Sequence, residues 1–189
     1  MEKGFTLVEI LAGIFIFVLV VGTATSLLIS AFNAQKRALA IREVIDGASY
    51  VIDYMSRAIS MAKKDDLEIR GIEFHCLPGY DFRNYYVDSS NPQITFRTYK
   101  LNECQSFFLD LGSKRIKERK TGQNYPVAEE NYLTPEGLEV TNLKFFVQGD
   151  DQYDNLQPKV TIFLEIQKRG QPATKISLQT TITQKDLDF

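Results

Sequence analysis

The stretch Lys3-Gly4-Phe5-Thr6-Leu7-Val8-Glu9-Ile10 runs directly into an apolar segment from Leu11 to Leu28. Between Phe5 and Gln35 the only ionisable side chain is Glu9. A helical run of this length can cross the roughly 30 Å hydrocarbon core of a bilayer. A carboxylate at bilayer depth costs about 2.5–3.5 kcal/mol on insertion scales. Glu9 therefore needs either a positive partner or a short reach to the headgroups.

On the amino-terminal side, Met1-Glu2-Lys3 is too short and too weakly basic for an ordinary secretory signal, and no Ala-x-Ala-like site ends the apolar run. The run is expected to stay on the mature protein. With no cysteine near its end, a lipid anchor is not expected.

On the carboxyl side, no proline occurs before Pro78, and only Gly13, Gly22 and Gly47 weaken a helix from Phe5 to Lys63. Ile41, Ile45, Ala48, Ile52, Met55, Ile59 and Ala62 recur at steps of four and three, and Val44, Val51 and Ala58 widen the stripe. The pattern predicts one helix of about 59 residues, or roughly 88 Å. Its amphipathic half is too broad for a two-position coiled-coil seam and is expected to be covered by the chain's own domain.

After Lys63 the period changes to two. Leu67 to Phe74, Ile94 and Phe96, Phe107 and Leu109, Leu138 to Val147, Val160 to Ile166, and Ile176 and Leu178 alternate with polar residues. Glycine- and proline-bearing breaks separate them, as expected of half-buried antiparallel strands. A helix laid on such a sheet is an α+β arrangement.

The order Lys3-Gly4-Phe5-Thr6-Leu7-Val8-Glu9 ahead of about twenty apolar residues resembles the class III signal of type IV pilins and type II secretion pseudopilins. The resemblance implies cleavage between Gly4 and Phe5 by prepilin peptidase, N-methylation of Phe5, and an assembly role for Glu9. In that family this glutamate pairs with the amino-terminal charge of a neighbouring subunit. The implied division is a leader over 1–4, a membrane and filament-core helix over 5–35, an amphipathic helix over 36–63, and a β-rich globular domain over 64–189. The ending Ser56-Arg57-Ala58-Ile59-Ser60-Met61-Ala62 and the runs Glu139 to Gln148, Lys159 to Lys168 and Lys175 to Gln184 resemble the J-type pseudopilins and W-type minor pilins. The K-type tip subunit, by contrast, lacks the carboxylate. Many pilins carry proline at the position of Ser26, so Gly22 is the expected weak point of this helix.

The implied partners are other pilin or pseudopilin subunits, the peptidase and methyltransferase, and inner-membrane lipid. The implied location is a single pass through the cytoplasmic membrane with the globular domain outside. Charge bias alone points the other way, because Glu2 offsets Lys3 whereas Lys36, Arg37 and Arg42 follow the span. Cys76 and Cys104 are the only cysteines. They are expected to bridge in an exported domain and to stay reduced in a cytoplasmic one.

The 189 residues carry a net charge of −2, which gives no general attraction to nucleic acid. No catalytic motif is present, so neither an enzyme nor a cofactor is expected. His75 is the single histidine and is expected to be structural, with no metal site around it. Asp65-Asp66 and Glu129-Glu130 are expected to be solvated charge. Asp150, Gln152 and Asp154 have calcium-loop spacing, but no glycine stands at position six and Thr161 occupies position twelve; an Asx-rich turn is expected. Lys114 to Lys120 could touch nucleic-acid phosphates, yet the glutamate within it suits a protected edge strand better. The aromatic loop Pro78 to Tyr86 is expected either to cap the sheet or to meet a partner. Together these features predict a structural filament subunit, with a membrane-anchored DNA- or surface-binding module as the alternative.

Overall fold

A computed structural model describes residues 4–65, 75–77, 83–88, 90–100, 103–122, 125–149 and 156–185. The expected strand over Leu67 to Phe74, Asp66, the loop residues Pro78 to Phe82, and the Asp150 to Asp154 turn lie outside the described residues. The chain divides into two compact units, Met1–Ala40 and Ile41–Phe189, and helix α1 (Leu7–Ser60) contributes to both.

Within the first unit α1 is unbroken across Gly13, Gly22 and Ser26. Every described residue from Gly4 to Leu39 is exposed. Three hydroxyls in this apolar stretch turn back onto the helix: Thr23 donates to the Val20 carbonyl at 2.9 Å, Thr25 to Val21 at 2.8 Å, and Ser26 to Thr23 at 2.9 Å. Polar groups satisfied in this way can face hydrocarbon at little cost.

The second unit has the expected α+β architecture of the pilin type, with a helix packed on antiparallel sheets. Strands β1 (Tyr85–Asp88), β2 (Gln93–Arg97), β3 (Glu103–Asp110), β4 (Arg115–Gly122) and β5 (Tyr125–Tyr132) form one sheet in that order. Strands β6 (Leu138–Gln148), β7 (Lys159–Lys168) and β8 (Gln171–Thr183) form a second. All pairings are antiparallel.

Both sheets and the helix share one core. Val44, Ala48, Val51, Met55, Ile59 and Ala62 are buried against Ile94, Phe96, Phe107 and Ile116 of the first sheet and the inward residues of the second. The buried line is the carboxyl-terminal part of the predicted stripe, Ala48, Met55, Ile59 and Ala62, joined by the flanking Val44 and Val51, while Ile45 is 46% exposed. A bulge between Val140 and Asn142 shifts the parity of β6. The shift lets Leu138 and Val140 on one side of it, and Leu143 and Phe145 on the other, all face the core.

Gly47 lies against Leu138 at the start of β6. A Cβ there would stand 2.5 Å from Leu138 Cδ1, so the fully buried Leu138 side chain would have to shift. Gly47→Ala is expected to lower the unfolding free energy by about 1–3 kcal/mol through overpacking, despite alanine's better helix propensity. Denaturant unfolding of the variant checks the sign.

The helix ends at Ser60, three residues short of the predicted Lys63. The carbonyls at and just past this end are taken from elsewhere in the fold: Lys185 N–H donates to Ser60 at 2.9 Å and the Gln184 side chain to Ala62 at 2.9 Å. Lys63 N–H turns away to the Arg97 carbonyl at 3.0 Å. Strand β8 starts earlier than Lys175, because Gly170 takes a left-handed φ of 72° in a two-residue hairpin and pairing resumes at Gln171. Strand β1 begins inside the expected aromatic loop, and β5 is a strand that the alternation does not predict. Strand β4 is not an edge, since it pairs with β3 on one side and β5 on the other.

Candidate functional site

The residues implied by the resemblance sit at the amino end of α1. Gly4, Phe5 and Thr6 precede the helix, Phe5 is 79% exposed, and Glu9 lies in the first turn. Thr6 caps this end. Its Oγ1 accepts the Glu9 N–H at 3.3 Å, and its carbonyl accepts the N–H groups of Glu9 at 3.1 Å and Ile10 at 3.3 Å. The spacing Thr6-x-x-Glu9 is that of a capping box. It was legible in the sequence, and it gives Glu9 a local role that the membrane argument passed over: a carboxylate at the positive end of the helix dipole. A cut after Gly4 would leave Thr6 and Glu9 together.

The other predicted pair is formed. Cys76 and Cys104 are disulfide-bonded, with Cα atoms 5.4 Å apart and a sequence separation of 28. The bond pins the segment around Cys76 to β3. Asp65 reinforces it from the other side, its Oδ2 accepting the N–H groups of Cys76 at 2.8 Å and Leu77 at 3.0 Å. Asp65 is therefore a buried structural carboxylate, 5% exposed, and not the solvated charge expected of it. His75 stands half-buried beside the disulfide. Among the described residues no group of His, Cys, Asp or Glu could hold a metal ion.

The basic strand β4 splits into two faces. Ile116, Glu118 and Lys120 point inward; the Tyr54 hydroxyl donates to Glu118 Oε1 at 2.7 Å, and the Gln105 amide donates to the same oxygen. Burial, together with that bond to Glu118, pushes the Tyr54 hydroxyl up to about 12.

On the outer face the cations are engaged. Arg119 meets Glu130 at 2.7 Å and lies 4.7 Å over the Phe108 ring. Lys117 meets Glu130 at 3.3 Å, and Arg115 lies 3.9 Å over Tyr132. The hydrogen bond from Arg119 holds the Glu130 carboxyl below its usual range. Glu130 is thus half of an ion pair, whereas Glu129 is exposed as expected. A nucleic-acid phosphate would have to displace these carboxylates and aromatic rings to reach the cations.

In the aromatic loop, Tyr85 belongs to β1. It is 2% exposed, its hydroxyl donates to the Ile59 carbonyl at 2.8 Å, and its ring packs edge-on to Phe96. It caps the sheet and is not available to a partner, whereas Tyr86 beside it reaches the surface.

No protein-family model matches this chain, and neither a curated protein nor a solved structure matches it.

Proposed function

We propose that the chain is a structural subunit, of minor pilin or pseudopilin type, of a type IV pilus or type II secretion-like filament. It is held in the cytoplasmic membrane by the first part of α1, processed between Gly4 and Phe5, methylated on Phe5, and assembled through that helix. The observation that carries the reading is the helix itself. Its apolar side chains from Leu7 to Phe32 are exposed, its hydroxyls at Thr23, Thr25 and Ser26 are satisfied internally, and Glu9, the one carboxylate of that apolar stretch, sits in the first turn. By length and composition this helix can cross a membrane. A bilayer or a bundle of like helices would cover such a surface, and water alone would not. The disulfide supports an oxidising location for the globular unit, outside the cytoplasm.

The test is the intact mass of the protein from its native membranes, with fragmentation of the amino terminus. Loss of Met1 to Gly4 and one added methyl group on Phe5 is the expected result. An uncut, unmethylated chain would instead leave a plain single-span protein.

Glu9→Ala is expected to insert normally but to enter filaments poorly in competition with the wild-type chain. The neighbouring amino terminus would lose its counter-charge in a low-dielectric core. The capping bonds to the Thr6 Oγ1 and carbonyl use only the backbone N–H of residue 9 and survive the substitution, so helix content, read by circular dichroism, should change little. Equal incorporation of both forms would remove the assembly role.

A further inference from the structure

A cleft of about 340 Å³ opens between the last turns of α1 and the first sheet. Tyr54, Ala58 and Met61 form one wall and Tyr99 the other, while Glu103 and Gln105 lie on the floor. The volume is in the range of small-ligand sites. The chemistry of the floor is lopsided. Glu118 behind it is fully served, by Tyr54, by Gln105 and by Lys120 at 3.3 Å. Glu103 is not served in this way. Its residue is 3% exposed, and among the described residues its carboxylate has only a long 3.9 Å contact to Lys100, whose side chain is 51% exposed.

The Glu103 carboxylate meets solvent only through the cleft, and with no close donor there among the described residues it favours a cation. Below the mouth, Glu103 and Glu118 against Lys120 leave one negative charge without a close partner. The cations at the mouth, Lys100 and Arg57, are solvated and can swing outward; Glu103 is fixed in β3 and cannot.

The geometry points to a binding site for a single ammonium or guanidinium group carried on an aliphatic stem. The head would take the place of Lys100 on Glu103 and find a second acceptor in the Gln105 carbonyl oxygen. The stem would lie along Ala58 and Met61, and the Tyr54 and Tyr99 rings would offer their faces to the charge. The head could belong to a free base or to a lysine or arginine side chain of another protein. The second source does not depend on the filament reading.

The test is calorimetric titration of the full chain in detergent micelles with agmatine, with free arginine, with the blocked tripeptide acetyl-Gly-Arg-Gly-amide, and with glutamate as an anionic control. Saturable binding of agmatine or the tripeptide at millimolar concentration or below, and none of glutamate, is expected. Glu103→Gln, which keeps the shape, should weaken binding at least tenfold. Tyr99→Ala, at an exposed position, should weaken it a few-fold.

Lys100→Ala should tighten binding by removing the resident competitor, the opposite sign from that of an anion site. Preference for agmatine over the tripeptide assigns the cleft to free bases, and the reverse assigns it to a protein side chain. No saturable binding by any cationic probe, binding unchanged by Glu103→Gln, or Lys100→Ala weakening it would each overturn the assignment.

Discussion

Replacing both Cys76 and Cys104 with serine should lower the unfolding free energy of the globular unit by about 3.5 kcal/mol. The two residues close a loop with a sequence separation of 28. In the chain-entropy model a cross-link of that span removes disorder from the unfolded state by about this amount, provided the native bond is unstrained. The bond acts together with the two Asp65 hydrogen bonds and the burial of Leu77, which hold the same segment. Reduction of the wild-type chain should reproduce the loss, and reduction of the double variant should change nothing. The same chemistry reports location. Thiol labelling in intact cells, before and after reductant, should find both cysteines blocked until reduced. Free thiols in freshly quenched cells would argue for a cytoplasmic globular unit and against export.

The parts of the fold legible in the sequence were those with a clean period. The helix could be read because apolar residues recur at three and four from Ile41 to Ala62. The second sheet could be read because Val160, Ile162, Leu164 and Ile166 alternate without interruption. The first sheet was harder, since β4 and β5 are short of apolar residues. Ile116 is the single inward hydrophobe of β4; its other inward side chains, Glu118 and Lys120, neutralise each other beside Tyr54. A strand whose buried face is an ion pair has no hydrophobic alternation to display. Tyr125 to Tyr132, unlike β4, is an edge strand with Val127 81% exposed, so it too lacks a clear apolar alternation.

Of the candidate site, the processing and assembly residues Gly4, Phe5 and Glu9 came from motif resemblance, and the cysteines from their pairing in number. Neither route could reach the Glu103 cleft. It joins residues from Tyr54 to Lys120 that share no spacing in the chain. Helix propensity also misled at Gly47, which reads as a weak point until the 2.5 Å clearance to Leu138 gives its reason.

Gln184→Ala is expected to cost about 2–4 kcal/mol, far more than truncating a polar residue near the end of a strand usually does. Gln184 is 1% exposed and binds three separate parts of the globular unit. Its amide nitrogen donates to the Ala62 carbonyl just past the end of α1, and its carbonyl oxygen accepts from Asn84 Nδ2 at the start of β1. Its backbone N–H reaches the Pro158 carbonyl at 3.1 Å, and its backbone oxygen accepts the Gln157 amide. The backbone bonds survive the substitution. The side-chain bonds do not: the Ala62 carbonyl just past the helix end loses its Gln184 donor, and buried Asn84 loses this one acceptor. A buried polar group left without its partner costs about 1–3 kcal/mol. Gln184→Glu gives the sharper comparison. It keeps the volume but replaces the donor to Ala62 with a charge facing a carbonyl, so it should destabilise at least as much as alanine at neutral pH. Part of that loss should return as the pH falls and the carboxyl regains a proton to donate. If both variants unfolded within about 0.5 kcal/mol of the wild type, the junction of helix, β1 and β7 would have to be held by apolar packing alone.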